Sequence, residues 1–589
     1  VPTWQQLRDV KLSEYTEAAD GWGKVSSRAN ADKDRVDNGM FAKIHDTQKG
    51  ETADKAGGDV QQLSRNYQYL HTECGLIRTA LNGLASELAA PQKKLKQALE
   101  DAENLKFTVN PDGTVTYPVQ SSVLLPGNNT AHDGAPFPYL PGKAEGIGSA
   151  DANKGKAEDI AQRIGDAVRE ATEIDGRYAA ALRNLKAEPG LTVSDETLAD
   201  AAKDTKAMQQ AAGRYADDDK IPHGKSPKEN ADWWNGLTPE QRDEYATLYP
   251  ASVGALDGIP SAVRDDANRM VLAESKAQYQ IELKGIPPEP FPKMVFGGAG
   301  VGMLYSDEWI KWDKQYGDRK AHLDSSLAGM NAIEDRFANT GKDGLPEAYL
   351  LGFSPEGHGR AIVASGNPDT ADHTAVYVPG TTSNLGNIGG NIDRMSSLWR
   401  ESHAMAPDST VSTVTWLGYD APQDIVKDAP FSHYANDGAP AYNKFMEGLE
   451  VAQGGPDKSH TTAVGHSYGT TLIGSAARQG TLHADDIVFA GSPGVQVGSA
   501  GELDVPKGHV WNEEADGDPV PDIGRWGHGG SQWRLGGGVF LIPSDEVFGA
   551  NQMATDGHGH SDYWNDHSLS IRNQAAVVTG EYERVQKVD

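Results

Sequence analysis

Apolar residues recur at steps of mostly three and four through the first part of the chain. Leu12, Tyr15, Ala18, Trp22, Val25, Ala29 and Val36 mark helix over the first 40 or so residues. A polar, glycine-containing stretch around Gly50 to Gly58 follows. Val60, Leu63, Tyr67, Leu70, Cys74, Ile77, Leu81, Leu84 and Leu88 then alternate three- and four-residue steps, which is a heptad seam. Leu95, Ala98, Ala102 and Leu105 continue it past Pro91, a residue type that kinks helices. The pattern predicts a long antiparallel helical hairpin. Phe107 to Tyr117 alternates around Asn110-Pro-Asp-Gly113 and predicts a small β-hairpin. Ser121 to Lys156, rich in Pro, Gly, Ala and Asn, predicts an irregular connector. Ala157 to Leu185 carries one apolar face, from Ile160 and Ile164 through Val168, Ile174 and Tyr178 to Leu182. At Thr238, Pro239 and Gln241 supply the proline and the return partner of a capping box. The helix it starts must end before Pro250, and Ser261 to Asn268 restarts one. Helical signals recur from Asp307 to Phe337.

From Ala348 the texture changes to short apolar runs. Tyr349 to Phe353, Arg360 to Ser365, His373 to Val378, Ser412 to Leu417, Asp486 to Ala490 and His509 to Asn512 read as strands. Helical stretches lie at Asn391 to His403 and Tyr442 to Gln453. Strands alternating with helices predict a mostly parallel sheet covered on both faces. Thr461 to His466 is a further strand, Thr470 to Gly480 is helical, and Gly465-His-Ser-Tyr-Gly469 lies between. A G-x-S-x-G pentapeptide between a strand and a helix is a nucleophile elbow. Its sharp turn lifts the serine hydroxyl clear, and side chains at the flanking glycines would clash.

Composition narrows the partners. A net charge of −30 argues against nucleic acid, whose binding needs a basic surface, and against tight docking on anionic lipid. Cys74 is the single cysteine, so an intrachain disulfide, a cysteine-based zinc site and an iron–sulfur cluster are excluded. The stretch from Val1 to Asp20 is polar, and no run approaches the ~20 apolar residues of a membrane helix. The expectation is a protein without a transmembrane segment, cytoplasmic or exported without a cleaved signal peptide.

A serine needs a base to take its proton, and the base needs an acid to hold its tautomer. The order in this architecture is serine, acid, histidine. After Ser467 the first suitable acid is Asp518, in Asp516-Gly-Asp-Pro519, with Asp516 and Asp522 as rivals. His560, in His558-Gly-His-Ser561, is the chosen base, ahead of His558 and the later His567. His528 comes too early. The His-x-His pair also fits a metal, but the elbow accounts for a histidine here without one, so no metal and no cofactor are expected. The oxyanion hole is assigned to the amides of Tyr468 and Thr381, the latter in Pro379-Gly-Thr-Thr382, with Thr382 as the alternative. His466 and Trp533 are placed at the substrate pocket, His466 as a packed residue rather than a base. The glycine-dense stretch from Asp522 to Thr555, with Trp526 and Trp533, is expected to be a mobile cap over that pocket.

Gly465 to Gly469, Val378-Pro-Gly-Thr381, Gly491-Ser-Pro-Gly494, Asp518-Pro-Val520, Gly559-His-Ser561 and Asn573 together resemble an actinobacterial α/β-hydrolase family. Its members carry the hydrolase domain behind a helical region. Trp233 to Leu237, Leu256 to Pro260 and Arg264 to Asn268 resemble the helical part preceding that domain. The resemblance spans about Trp233 to Gly580 and implies a hydrolase acting through Ser467, Asp518 and His560, with no defined substrate. The N-terminal helices are loosely similar to the helical-hairpin proteins exported by type VII systems. Their Trp-x-Gly turn is here Trp22-Gly23, without the spacer and inside a helix pattern.

The expected architecture is an α/β-hydrolase fold over residues 340–589. Behind it lie a helical hairpin region with a small β-hairpin over 1–120 and a helical region over 121–339. The expected function is a serine esterase or lipase cleaving a carboxylester or lipid ester through an acyl-enzyme. Acyl transfer uses the same chemistry. The alternative is an interaction or exported protein whose helical region works, through a protein partner or self-association, while the hydrolase fold is a scaffold.

Overall fold

The computed structural model describes residues 2–41, 43–44, 50–118, 128–131, 152–185, 192–297, 301–534 and 537–588. They fall into two compact units. One comprises residues 1–30, 69–191 and 201–218, and the other 31–68, 192–200 and 219–589.

The first unit is helical. Its main helix belongs to a 54-residue segment, Glu51–Asn104, that runs through Pro91 without interruption and begins inside the expected polar break. Gly57 and Gly58 cost that helix roughly 1 kcal/mol each, which a segment of this length absorbs. Ser26 hydrogen-bonds the His71 carbonyl, and Gln92 donates to the carbonyls of Leu7 and Val10. Low numbers therefore meet high ones, as an antiparallel hairpin requires. Ile160, Ile164, Ala171, Ile174 and Tyr178 of the helix Ala152–Leu182 are buried, the face its spacing predicts. Thr108–Val109 pairs antiparallel with Val115–Pro118 as expected. Asn128–Ala131 adds a third strand. Residues 121–127 and 132–151 of the expected connector lie outside the described residues, and its last residues, from Ala152, already belong to the helix.

The second unit is built on an eight-stranded sheet. Its strands are β1 (Ala348–Ser354), β2 (Arg360–Ser365), β3 (His373–Val378), β4 (Val411–Leu417), β5 (His460–His466), β6 (Asp486–Ala490), β7 (Val510–Glu513) and β8 (Asn551–Met553). Their spatial order is 8-7-6-5-3-4-2-1. β1 and β2 pair antiparallel, as do β2 and β4, and every other pairing is parallel. Side chains alternate between two cores. Val376, Val378, Ala463, Ile487 and Phe489 pack on one face with Tyr442 and Phe445 of α2 (His433–Gln453) and Leu472 and Ile473 of α3 (Tyr468–Gln479). Ala375, Tyr377, Val464, Val488 and Trp511 pack on the other with Leu398 of α1 (Ile388–Met405) and Ile571 and Ala575 of α5 (Leu569–Val578). Burial on both faces explains why these strands read as near-continuous apolar runs.

The described part of the stretch expected as a mobile cap carries regular structure. It holds α4 (Val520–His528), the antiparallel pair Gly530–Arg534 and Gly537–Leu541, and β8. Gly524, Gly527, Gly529 and Gly530 serve close approach. A Cβ at Gly524 would lie 2.2 Å from Pro493 Cβ, and one at Gly530 would lie 1.9 Å from the Val497 carbonyl. The Thr238 capping box forms as expected, on the helix Pro239–Leu248. Among the described residues no helix is long and apolar enough to cross a membrane.

Candidate active site

β5 ends at His466, Ser467 takes φ 53° and ψ −128°, and α3 starts at Tyr468. Positive φ at a serine costs on the order of 1–3 kcal/mol, so the surroundings must hold it. The Ser467 amide donates to the Ala490 carbonyl (3.0 Å), and the Thr470 amide and hydroxyl donate to the Ser467 carbonyl. The flanking glycines are sterically required. A Cβ at Gly465 would lie 2.9 Å from Thr470 Cα, and one at Gly469 would lie 2.1 Å from the Val378 carbonyl oxygen.

Asp518 follows β7 through a turn in which Gly517 has φ +72°. Its carboxylate is buried and receives His560 Nδ1 at 3.0 and 2.9 Å, the Tyr563 hydroxyl at 2.6 Å and the Val520 amide at 2.9 Å. Burial alone would raise the Asp518 pKa. The hydrogen bonds from His560, Tyr563 and the Val520 amide outweigh it and hold the group below the usual carboxylate value. A carboxylate only accepts, so the Nδ1 of His560 is the donor, and the neutral ring has its lone pair on Nε2. Gly491, at the end of β6, makes room for the pair. A Cβ there would meet Asp518 Oδ2 at 2.7 Å and His560 Nδ1 at 3.0 Å.

His466 joins this pair to the elbow. Its ring lies 4.6 Å from the His560 ring, and its Nε2 donates to the His560 carbonyl at 2.7 Å. Arg394 Nη1 approaches its Nδ1 at 3.5 Å, and Trp564 meets its ring edge-on. Burial, then His560 and Arg394, push its pKa well below the usual value. His466 is therefore a neutral residue that holds the His560 backbone, and it is 6% exposed. Among the described residues no hydrogen bond joins Ser467 Oγ to His560 Nε2. Such contacts tighten on substrate binding in many apo sites.

The Pro379–Thr382 loop touches Ser467. A Cβ at Gly380 would sit 2.6 Å from Ser467 Cβ and 3.2 Å from its Oγ. Tyr419 pins the loop by donating to the Pro379 carbonyl at 2.7 Å. The Thr382 amide is spent on the Pro422 carbonyl at 2.6 Å, which leaves Thr381 as the candidate donor. The Tyr468 amide belongs to the first turn of α3, whose N–H groups lack intrahelical partners. The Tyr468 side chain donates to the Phe431 carbonyl and meets the His528 ring edge-on at 5.2 Å. α4 thus runs from the turn that carries Asp518 to the ring of Tyr468.

The rival residues sit elsewhere. Asp516 and His558 pair on the surface at 3.8 Å, Asp522 is exposed, and His567 binds Glu401. His528 is buried against the Ala429 carbonyl. Among the described residues no group of three His, Cys, Asp or Glu side chains is placed to hold a metal. The Trp533 side chain lies outside the described residues. Sequence reasoning missed Tyr563 and Arg394. The signal for Tyr563 was its place three residues after His560, where an aromatic reads as packing.

Sheet order, elbow and crossover helices define the C-terminal region as an α/β-hydrolase domain. Residues 354–527 match a family model described as an alpha/beta hydrolase. An uncharacterized protein of Mycobacterium tuberculosis strain H37Rv is 29% identical over 391 residues, covering 61% of this chain and 56% of that protein. A second uncharacterized protein of that strain, and one of Mycobacterium bovis, are 29% identical over 221 residues, covering 35% of this chain and 80% of each relative. The chain spans about half the length of the first of these relatives.

Proposed function

We propose that this protein is a serine hydrolase of carboxylesters, with lipid esters as the favoured class. The observation that carries the reading is the Asp518–His560 pair, which leaves Nε2 unbonded beside the elbow. Ser467 Oγ attacks the ester carbonyl as His560 Nε2 takes its proton. Asp518 stabilises the imidazolium, and the Tyr468 and Thr381 amides receive the oxyanion. The imidazolium then protonates the leaving alcohol. Water, activated by the same nitrogen, releases the acyl group from Ser467.

An acyl chain suits the flank of this site. α4 packs inward through Gly524 and Gly527, against Pro493 and the Pro430 carbonyl. It turns Ile523 and Trp526 outward at 72% and 74% exposure, with Phe540 beside Trp526. Hydrolysis of p-nitrophenyl esters of increasing chain length tests the reading. Ser467→Ala is expected to remove turnover, and Trp526→Ala to weaken medium and long chains about tenfold relative to acetate, the loss of roughly 1.4 kcal/mol of apolar contact. No turnover by the unaltered protein on any ester would count against the enzyme reading and direct attention to the helical region. An unchanged chain-length preference would remove α4 from the acyl site.

A further inference from the structure

We propose that the hairpin formed by Met294–Phe296 and Met303–Tyr305 inserts into the surface of a zwitterionic lipid bilayer. The two strands pair as Met294↔Tyr305, Val295↔Leu304 and Phe296↔Met303. All six side chains are apolar or aromatic, and each is at least 40% exposed. Alternation puts Val295 and Leu304 on one face and the other four on the opposite face. A hairpin packed on a core buries one face and shows polar residues on the other. This ribbon leaves apolar residues exposed on both faces, with Tyr305 alone, among the described residues, stacked on a neighbouring ring, that of Trp309. Phe291, at 96% exposure, extends the patch.

The double-sided exposure selects the occupant. A protein surface stacked on one face leaves the other in water. A second copy pairing along an edge covers neither face. A fluid apolar medium covers both at once. The base of the hairpin carries side chains with apolar bodies and polar tips, the kind that settle at headgroup level. Tyr305 stacks on Trp309 at 4.4 Å, and the Lys293 ammonium lies 4.4 Å from the Trp309 ring. Trp309 Nε1 donates to Glu289, and Trp312 Nε1 donates to the Pro287 carbonyl at 2.8 Å.

Backbone groups set the depth. The ladder is continued at both ends by Gly297 N–H to the Gly302 carbonyl (2.8 Å) and Ser306 N–H to the Lys293 carbonyl (3.0 Å). The outer edges of a two-stranded ribbon have no such partners, so the hydrocarbon centre is closed to it and insertion is shallow. The net charge of −30 repels an anionic surface, which makes zwitterionic lipid the partner. The hairpin's contact with lipid is independent of the reaction at Ser467.

Flotation of the full chain with phosphatidylcholine vesicles tests the inference. The unaltered protein is expected to float with vesicles, with a blue shift in tryptophan emission, and to bind phosphatidylserine vesicles less well at low salt. Val295→Asp with Leu304→Asp alters one face, and Phe296→Asp with Met303→Asp alters the other. Each pair is expected to lower the vesicle-bound fraction at least tenfold, while the thermal unfolding midpoint stays in place. Three results would overturn the inference: no vesicle binding by the unaltered protein, loss of binding from only one face, or a vesicle-free oligomer in sedimentation that either pair dissociates. The last result would assign the hairpin to a second copy of the chain.

Discussion

The Tyr563 hydroxyl stands beside His560 and the Val520 amide among the donors that keep Asp518 ionised. It donates to Oδ2 from a fully buried ring, and burial with the neighbouring carboxylate keeps the phenol protonated by pushing its pKa up. The Asp518 pKa is depressed in the folded protein, so its contribution to stability is present above the ordinary carboxylate pKa. That contribution is lost as the pH falls through the folded value. Tyr563→Phe removes one hydrogen bond to the ionised form. The hydroxyl also accepts from the Ala515 amide at 3.0 Å, so the change should lower stability by roughly 1.5–3 kcal/mol at neutral pH, and the loss should shrink without vanishing once the carboxyl is protonated. Urea unfolding at the two pH values checks this, and an equal loss at both would mean that Tyr563 only fills space. The choice between His558 and His560 was legible from chain order and from the Asp562-Tyr-Trp run that follows. The structure puts His560 on Asp518 and leaves His558 in solvent. The role of Tyr563 was not legible, because nothing in the sequence says which way a ring points.

The elbow and the Pro379–Thr382 loop work as one assembly, since each fills space the other leaves. Gly380→Ala would drive a methyl to within 2.6 Å of Ser467 Cβ, so one of the two must move. A displacement of about 1 Å at a reacting group costs on the order of a hundredfold in rate. Steady-state kinetics should show that fall in kcat while circular dichroism stays unchanged, and an unaltered kcat would remove this loop from the oxyanion site. Both elements were legible because glycine and proline punctuate fully apolar runs. β8 was not: Asn551-Gln-Met553 is a polar strand of three residues at the sheet edge, paired with Trp511 to Glu513 and bridged at Met553 to Lys587. α2 was read as starting at Tyr442, whereas it begins at His433 and carries Pro440 inside. Proline is a helix-interior breaker in local reasoning, and burial of Ala435, Ala439 and Tyr442 overrides it. Among the glycines of residues 522–555, several mark places where backbone meets backbone, a packing role that glycine density alone does not distinguish from a loop.

Across the whole chain, the alternation of strands with amphipathic helices specified a covered parallel sheet, and the matched family model covers residues 354–527 of that region. The helical half was legible as helices, because its seam keeps one period from Val60 to Leu105 through Pro91. The hairpin with two apolar faces left a weaker trace, since a short apolar run reads the same whether it is buried or bare. The central claim is that Ser467 is a nucleophile activated by His560 and Asp518. Reaction of the full chain with a fluorophosphonate, followed by mass mapping of the adduct, tests it most directly. The account predicts one adduct, on the peptide containing Ser467, absent in Ser467→Ala and slowed at least a hundredfold in His560→Ala. An unlabelled protein, an adduct on another residue, or labelling indifferent to His560 would contradict it.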